Sequence, residues 1–199
     1  MPNNIRAFIA IPLPQVVLDQ LGYLREQLRR HGLPIRWVRV AGIHLTLKFL
    51  GDIPAARVAE VAGAVEAAVV PCQQLELLMS DMGVFPNIQR AKVIWAGIEG
   101  NLEGLADLQQ KVETALEPLG FVREKRRFTA HLTLGRSKAR IAAKALSHAL
   151  TAHGGYDPVP FQAREVVLYQ SQLRPNGVLY TRLANMGLGR RAITPETPI

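Results

Sequence analysis

Cysteine is nearly absent from the chain. The single Cys72 excludes an intramolecular disulfide framework and a cysteine-based metal site, and its simplest reading is a small apolar residue near the start of a strand. Long apolar runs are missing too. No stretch approaches the ~20 residues of a membrane-spanning helix, and Met1-Pro2-Asn3-Asn4 lacks the basic-then-apolar order of a signal peptide. A cytoplasmic protein is the default expectation. There is no HExxH, HxxxE or Cys–His cluster, which argues against a metal hydrolase. There is no Walker-type glycine loop, which argues against a nucleotide-dependent ligase or kinase. Acids are scarce against bases: 16 Asp and Glu face 24 Lys and Arg, for a net charge of +8 and a pI near 10.1. That surplus favours a polyanionic partner, although many small proteins are basic without one. Glycine (16) and proline (13) are too few to indicate disorder. A hydrophobic content of 48% supports a core, and 199 residues suit one domain or two small lobes.

Against this background one pattern stands out. His44-Leu45-Thr46-Leu47 recurs as His131-Leu132-Thr133-Leu134, nearly half a chain later. Both copies read as strands followed by glycine, Gly51 and Gly135. Alternation along a strand puts His and Thr on one face and the two leucines on the other. A lone histidine on a strand is more often structural than chemical. Core packing, however, does not favour His and Thr at the same parity twice.

The rest of the chain frames the two copies. Ile5 to Ile11 reads as a buried strand ended by Pro12 and Pro14. Val17, Leu21, Leu24 and Leu28 fall at helical spacing. A second helix carries Val58, Val61, Val65 and Val69, and Leu75 to Val84 reads as a long strand. The order then repeats: Val93 to Ile98 as strand, Leu102 to Leu116 as helix, the second motif, and Ile141 to Leu150 as helix. Phe161 to Gln170 and Val178 to Ala184 close the fold as strands joined by a turn at Pro175-Asn176-Gly177. From about residue 187 the composition indicates a loose tail, leaving 1–186 as one bilobal domain. His31, His148 and His153 lie outside any motif and are expected at the surface. The economical architecture is two lobes related by a pseudo-twofold, with helices covering sheets and both motifs on one central concave face.

Two histidines across one cleft can act as a general acid and a general base near neutral pH. In-line attack on a phosphodiester needs that pairing: one ring takes a proton from water while the other protonates the leaving oxygen. Thr46 and Thr133 would donate to the non-bridging oxygens. Geometry leaves open which histidine does which. By parity Lys48 shares the His44 face and would add a cation, whereas Phe49 points away and reads as core. Arg136 points away from His131 unless a bulge intervenes at Gly135. Arg127 belongs to the run Arg123-Glu124-Lys125-Arg126-Arg127 just before the second motif, where it would track phosphate.

Two H-x-T-x motifs half a chain apart resemble the 2H phosphoesterase superfamily. The run His44-Leu45-Thr46-Leu47-Lys48-Phe49-Leu50-Gly51 is similar to the first motif of its RNA 2′,3′-cyclic phosphodiesterase branch, also called 2′-5′ RNA ligase-like. Arg6 to Ile11, Val84-Phe85-Pro86, Val93 to Gly97 and Leu168-Tyr169-Gln170-Ser171 are similar to it as well. The resemblance implies a bilobal α+β fold with two antiparallel sheets around a central cleft. It implies metal-independent hydrolysis of an RNA 2′,3′-cyclic phosphate to a 2′-phosphate, without a cofactor, and reversible 2′-5′ ligation of RNA ends. It assigns His44 as proton donor and His131 as proton acceptor, and gives Arg136 a place among the substrate contacts. The expected partner is RNA with a cyclic phosphate end, tRNA fragments included, met by a monomer away from any membrane. Two alternatives remain open: a phosphodiesterase for another small cyclic or 2′-5′-linked nucleotide, and an RNA-binding protein without catalysis.

Overall fold

A computed structural model describes residues 3–174 and 177–189. Residues 175 and 176 of the expected turn, and residues 190–199 of the expected tail, lie outside the described residues. In chain order the elements are β1 (Asn4–Ile11), α1 (Gln15–Arg29), β2 (Ile35–Trp37), β3 (Leu45–Pro54), α2 (Val58–Val69), β4 (Leu75–Phe85) and β5 (Val93–Gly100). They continue with α3 (Leu102–Leu116), β6 (His131–Ser137), α4 (Ala143–His153), β7 (Val159–Ala163), β8 (Glu165–Arg174) and β9 (Gly177–Gly187). All strand pairings are antiparallel. One sheet has the order β3-β1-β8-β9 and the other β2-β6-β5-β4-β7.

The duplication shows in those orders. Each motif strand pairs with the opening strand of its own half, β3 with β1 and β6 with β5. Each opening strand then pairs with a strand from the other half, β1 with β8 and β5 with β4. Neither sheet can form from one half of the chain. The helices follow the apolar spacing of the sequence. α1 buries Val17, Leu21, Leu24 and Leu28, α2 buries Val61, Val65 and Val69, and α3 buries Leu105, Leu108, Val112 and Leu116. Asn101 caps α3, its side chain accepting from the Gly104 N–H at 2.9 Å. These stripes and the inward strand residues belong to one core. Among the described residues no helix is long and apolar enough to cross a membrane.

The expected single strand Phe161–Gln170 is two strands. The chain leaves one sheet at the end of β7 and enters the other at β8, changing sheets at Arg164. Gly187 completes β9 and Leu188 is buried, so the ordered chain runs past the expected start of the tail.

Strict alternation fails at an equivalent place in each motif strand, and a second time in β3, where Leu50 is skipped between Phe49 and Gly51. Along β3 the partners run Thr46 to Ala10, then Lys48 to Ile9, leaving Leu47 unpaired. Along β6 they run Thr133 to Trp95, then Gly135 to Ile94, leaving Leu134 unpaired. Both extra residues are the fourth of their motif, and both are buried. Each is a β-bulge that reverses the parity of the residues after it. Lys48, expected in the cleft, therefore points into the core. Phe49, expected in the core, is 67% exposed.

A charge forced inward needs a partner. Lys48 Nζ lies 2.5 Å from Glu113 Oε2 on α3 and donates to the Val122 carbonyl at 2.9 Å. Gln109 donates to the other Glu113 oxygen at 3.2 Å. The pair ties the first motif strand to α3 and to the segment leading to the second motif. Removing one partner strands the other charge in the core, at a cost of about 3–5 kcal/mol. Urea denaturation of Lys48→Met should show a loss of that size, with Lys48→Met/Glu113→Met recovering most of it. A single substitution costing under ~1 kcal/mol contradicts the buried pair.

Candidate functional site

The two motif strands lie in different sheets, yet β3 and β6 come within 8 Å of each other between Cα atoms. Between the sheets opens a cleft of about 380 Å³. His44, Thr46 and Phe49 line it from the first motif, and Thr133 and Arg136 from the second. His131 sits on the Thr133 face of β6, two residues earlier and opposite Gly97, with the Phe85 ring edge-on to it at 5.0 Å. The bulge at Leu134 is what turns Arg136 inward, to the place that Phe49 takes in the other motif. Four sequence candidates thus line one cavity; the fifth, His131, is outside that lining and shares the strand face of Thr133. Lys48 is excluded by its burial against Glu113.

Arg127 is also not in this lining. It borders a separate cavity between α3 and the segment 121–130, because that segment runs back along α3 before β6 begins. Of the three remaining histidines, expected at the surface, His148 is exposed and His31 and His153 are half-buried, and the three lie together. His31 Nε2 lies 3.0 Å from His153 Nε2, and the His148 ring stands edge-on to His31 at 5.9 Å. Among the described residues no three His, Cys, Asp or Glu side chains are arranged to hold a metal ion.

The two motif histidines differ chemically. His44 is enclosed by aromatic rings. Phe8 stacks on it at 4.5 Å, Tyr180 meets it edge-on at 5.2 Å, and Tyr169 lies at 6.0 Å. Burial disfavours the charged ring and lowers its pKa to about 4, against a hydrogen bond to the Gly42 backbone that raises it. With that value His44 is neutral at pH 7. His131 is more open. Its Nδ1 lies 2.8 Å from the Thr129 carbonyl oxygen. A carbonyl only accepts, so Nδ1 carries the hydrogen and the neutral ring presents a bare Nε2 lone pair.

Several site residues are not marked as such by the sequence. Phe8, Tyr169 and Tyr180 form the cage around His44, and Arg6 joins the cleft wall. Phe8 and Arg6 share the alternation of β1, which is legible as a strand. What is not legible is which strand lies beside β1: it is β8, which puts Tyr169 opposite Phe8. On the other sheet Trp95 lies opposite Thr133 and crosses over Gly83. A Cβ at Gly83 would fall 2.3 Å from the Trp95 ring, so only glycine fits there.

This fold and cleft agree with a family. Residues 11–95 and 98–180 match the model of the LigT-like phosphoesterases, and the chain belongs to that family. Among its relatives, the RNA 2′,3′-cyclic phosphodiesterase of Methanocaldococcus jannaschii is 30% identical, over 88% of this chain and 96% of its own. The RNA 2′,3′-cyclic phosphodiesterase of Methanothermobacter thermautotrophicus is 29% identical, over 89% and 96%. The fold is shared with TT0787 of Thermus thermophilus (TM-score 0.75, 24% identity, 94% of this chain and 100% of that one). It is shared too with Escherichia coli LigT complexed with 3′-AMP (TM-score 0.73, 24% identity, 94% and 99%).

The His44 environment makes a pH prediction. Its folded pKa, about 4, lies below the ordinary histidine value of 6.5. Between those values the unfolded state binds more protons, so this contribution is whole above pH 6.5 and is lost as pH falls toward 4, by roughly 3 kcal/mol. NMR titration of the imidazole should place the His44 midpoint near 4 in the ligand-free protein, and Phe8→Ala should raise it. A wild-type midpoint near 6.5 contradicts the cage.

Proposed function

We propose that the chain hydrolyses RNA 2′,3′-cyclic phosphate ends to 2′-phosphates, with residues 1–186 acting as one catalytic unit. The observation that carries this reading is the single cleft lined by His44 and Thr46 from one motif and Thr133 and Arg136 from the other, in a family whose relatives bear that activity in their names.

The steps balance without a metal. His131 Nε2 takes a proton from water as the water oxygen attacks phosphorus. The P–O3′ bond breaks, and His44 delivers its proton to the departing O3′. The product has a 2′-phosphomonoester and a 3′-hydroxyl. Thr46 and Thr133 donate to the non-bridging oxygens, where charge builds up, and Arg136 supplies the cation that parity had seemed to give to Lys48. The bare Nε2 of His131 favours it as the base. His44 is neutral before substrate arrives, so its donor role requires the phosphate anion to draw a proton onto the ring. The lowered pKa also favours a second assignment, with His44 as the base. With a 5′-hydroxyl in place of water as the attacking group, the same steps break P–O3′ and leave a 2′-5′ phosphodiester, but water in excess favours hydrolysis. Both motifs come from one chain, so a monomer suffices, and tRNA fragments with cyclic ends are suitable substrates.

Turnover of a short RNA ending in a 2′,3′-cyclic phosphate should continue in EDTA and fall about 100-fold or more in both His44→Ala and His131→Ala. Loss of wild-type turnover in EDTA, or full activity in either variant, contradicts the mechanism.

A further inference from the structure

The cleft is of a size for one small ligand, and an RNA that offers its 3′ end there still has the rest of its strand to place. A second cavity, of about 790 Å³, lies between α3 and the segment 121–130. Its lining has an apolar patch, Leu102, Leu105 and Phe128, beside the polar Gln109, Gln110 and Glu113. Its rim carries Lys125, Arg126 and Arg127, all exposed.

The rim charges are unspent. Arg57, Lys111, Arg123 and Arg182 each pair with a carboxylate at 2.8–2.9 Å. Lys125, Arg126 and Arg127 have no such partner among the described residues. Of the carboxylates in the lining, Glu113 is paired with Lys48; Glu124 accepts from the Arg126 backbone N–H at 3.2 Å and keeps its charge, against the three cations Lys125, Arg126 and Arg127. A solvated charge run would need no apolar patch behind it.

The rim also leads to the reacting centre. Thr129 and Ala130 belong to the same lining, the Thr129 carbonyl holds His131 Nδ1, and His131 opens β6. Even fully extended, the chain from Arg127 to His131 spans at most about 14 Å. Unpaired cations beside the exposed Leu102 and the Phe128 ring suit a single strand, whose phosphates meet the charges while a base covers the apolar patch.

We propose that this basic-rimmed cavity is a second RNA subsite, which holds nucleotides on the 5′ side of the cyclic phosphate end. The proposal rests on RNA being the substrate. Its test compares a 2′,3′-cyclic mononucleotide with an oligonucleotide ending in the same cyclic phosphate, for the wild type and for Lys125→Ala/Arg126→Ala. The double variant should raise the oligonucleotide KM about tenfold, leave kcat and mononucleotide turnover unchanged, and flatten the dependence of log KM on log salt by about 1.4, the share of two single-strand phosphate contacts. An unchanged oligonucleotide KM, or an equal loss on both substrates, overturns the subsite. Failure of the wild type to turn over either substrate strikes the catalytic reading instead. In that case fluorescence anisotropy with an oligonucleotide ending in a 2′-phosphate still reads the subsite, which stands only if the double variant binds more weakly and with less salt dependence.

Discussion

One extra residue in each motif strand decides what the cleft contains. A strand presents alternate side chains to alternate faces, so a regular β3 would place Lys48 beside Thr46, and a regular β6 would turn Arg136 away from Thr133. The bulges at Leu47 and Leu134 reverse both outcomes. The extra residue in each is a leucine held in the core. The halves repeat the device but differ in what it delivers: an exposed aromatic ring at Phe49 and a guanidinium at Arg136. The same reversal sends Lys48 inward, where Glu113 and the Val122 carbonyl receive it.

The strand order turns a duplicated sequence into a single site. Tyr169 and Tyr180, on the last two strands, complete the ring cage of a histidine in the first half. That dependence gives the two motif histidines different surroundings. One ring is desolvated among aromatics. The other is held by a backbone carbonyl with its second nitrogen free. A pair that is identical in local sequence becomes chemically unequal through tertiary contacts.

What could be read without coordinates was local, and what could not was relational. The helix stripes, the first strand and the two His-Leu-Thr-Leu strands follow from spacing that persists over several residues, and the structure places them there. Arg136 could be read conditionally: the family pattern called for a basic residue, and strict alternation demanded a bulge to admit it. Lys48 and Phe49 were exchanged because a bulge leaves no mark in composition; Leu47 looks like any inward leucine. The strand over Phe161–Gln170 was drawn too long because its apolar run continues across Arg164, where the chain changes sheets. Arg127 adjoins the second motif in sequence but not the cleft in space. Tyr169 and Tyr180 enter the site only through β8 and β9, a pairing between distant parts of the chain.

The central claim is that His44 and His131 act together on one phosphate. The most direct measurement is the pH dependence of kcat/KM on a cyclic-phosphate-ended RNA, for the wild type and for each histidine-to-alanine variant. The account predicts a bell for the wild type, with one limb lost in His44→Ala and the opposite limb lost in His131→Ala, whichever ring is the acid. A bell that survives unchanged in either variant would show that the ring does not titrate in the reaction, and the paired-histidine mechanism would fall.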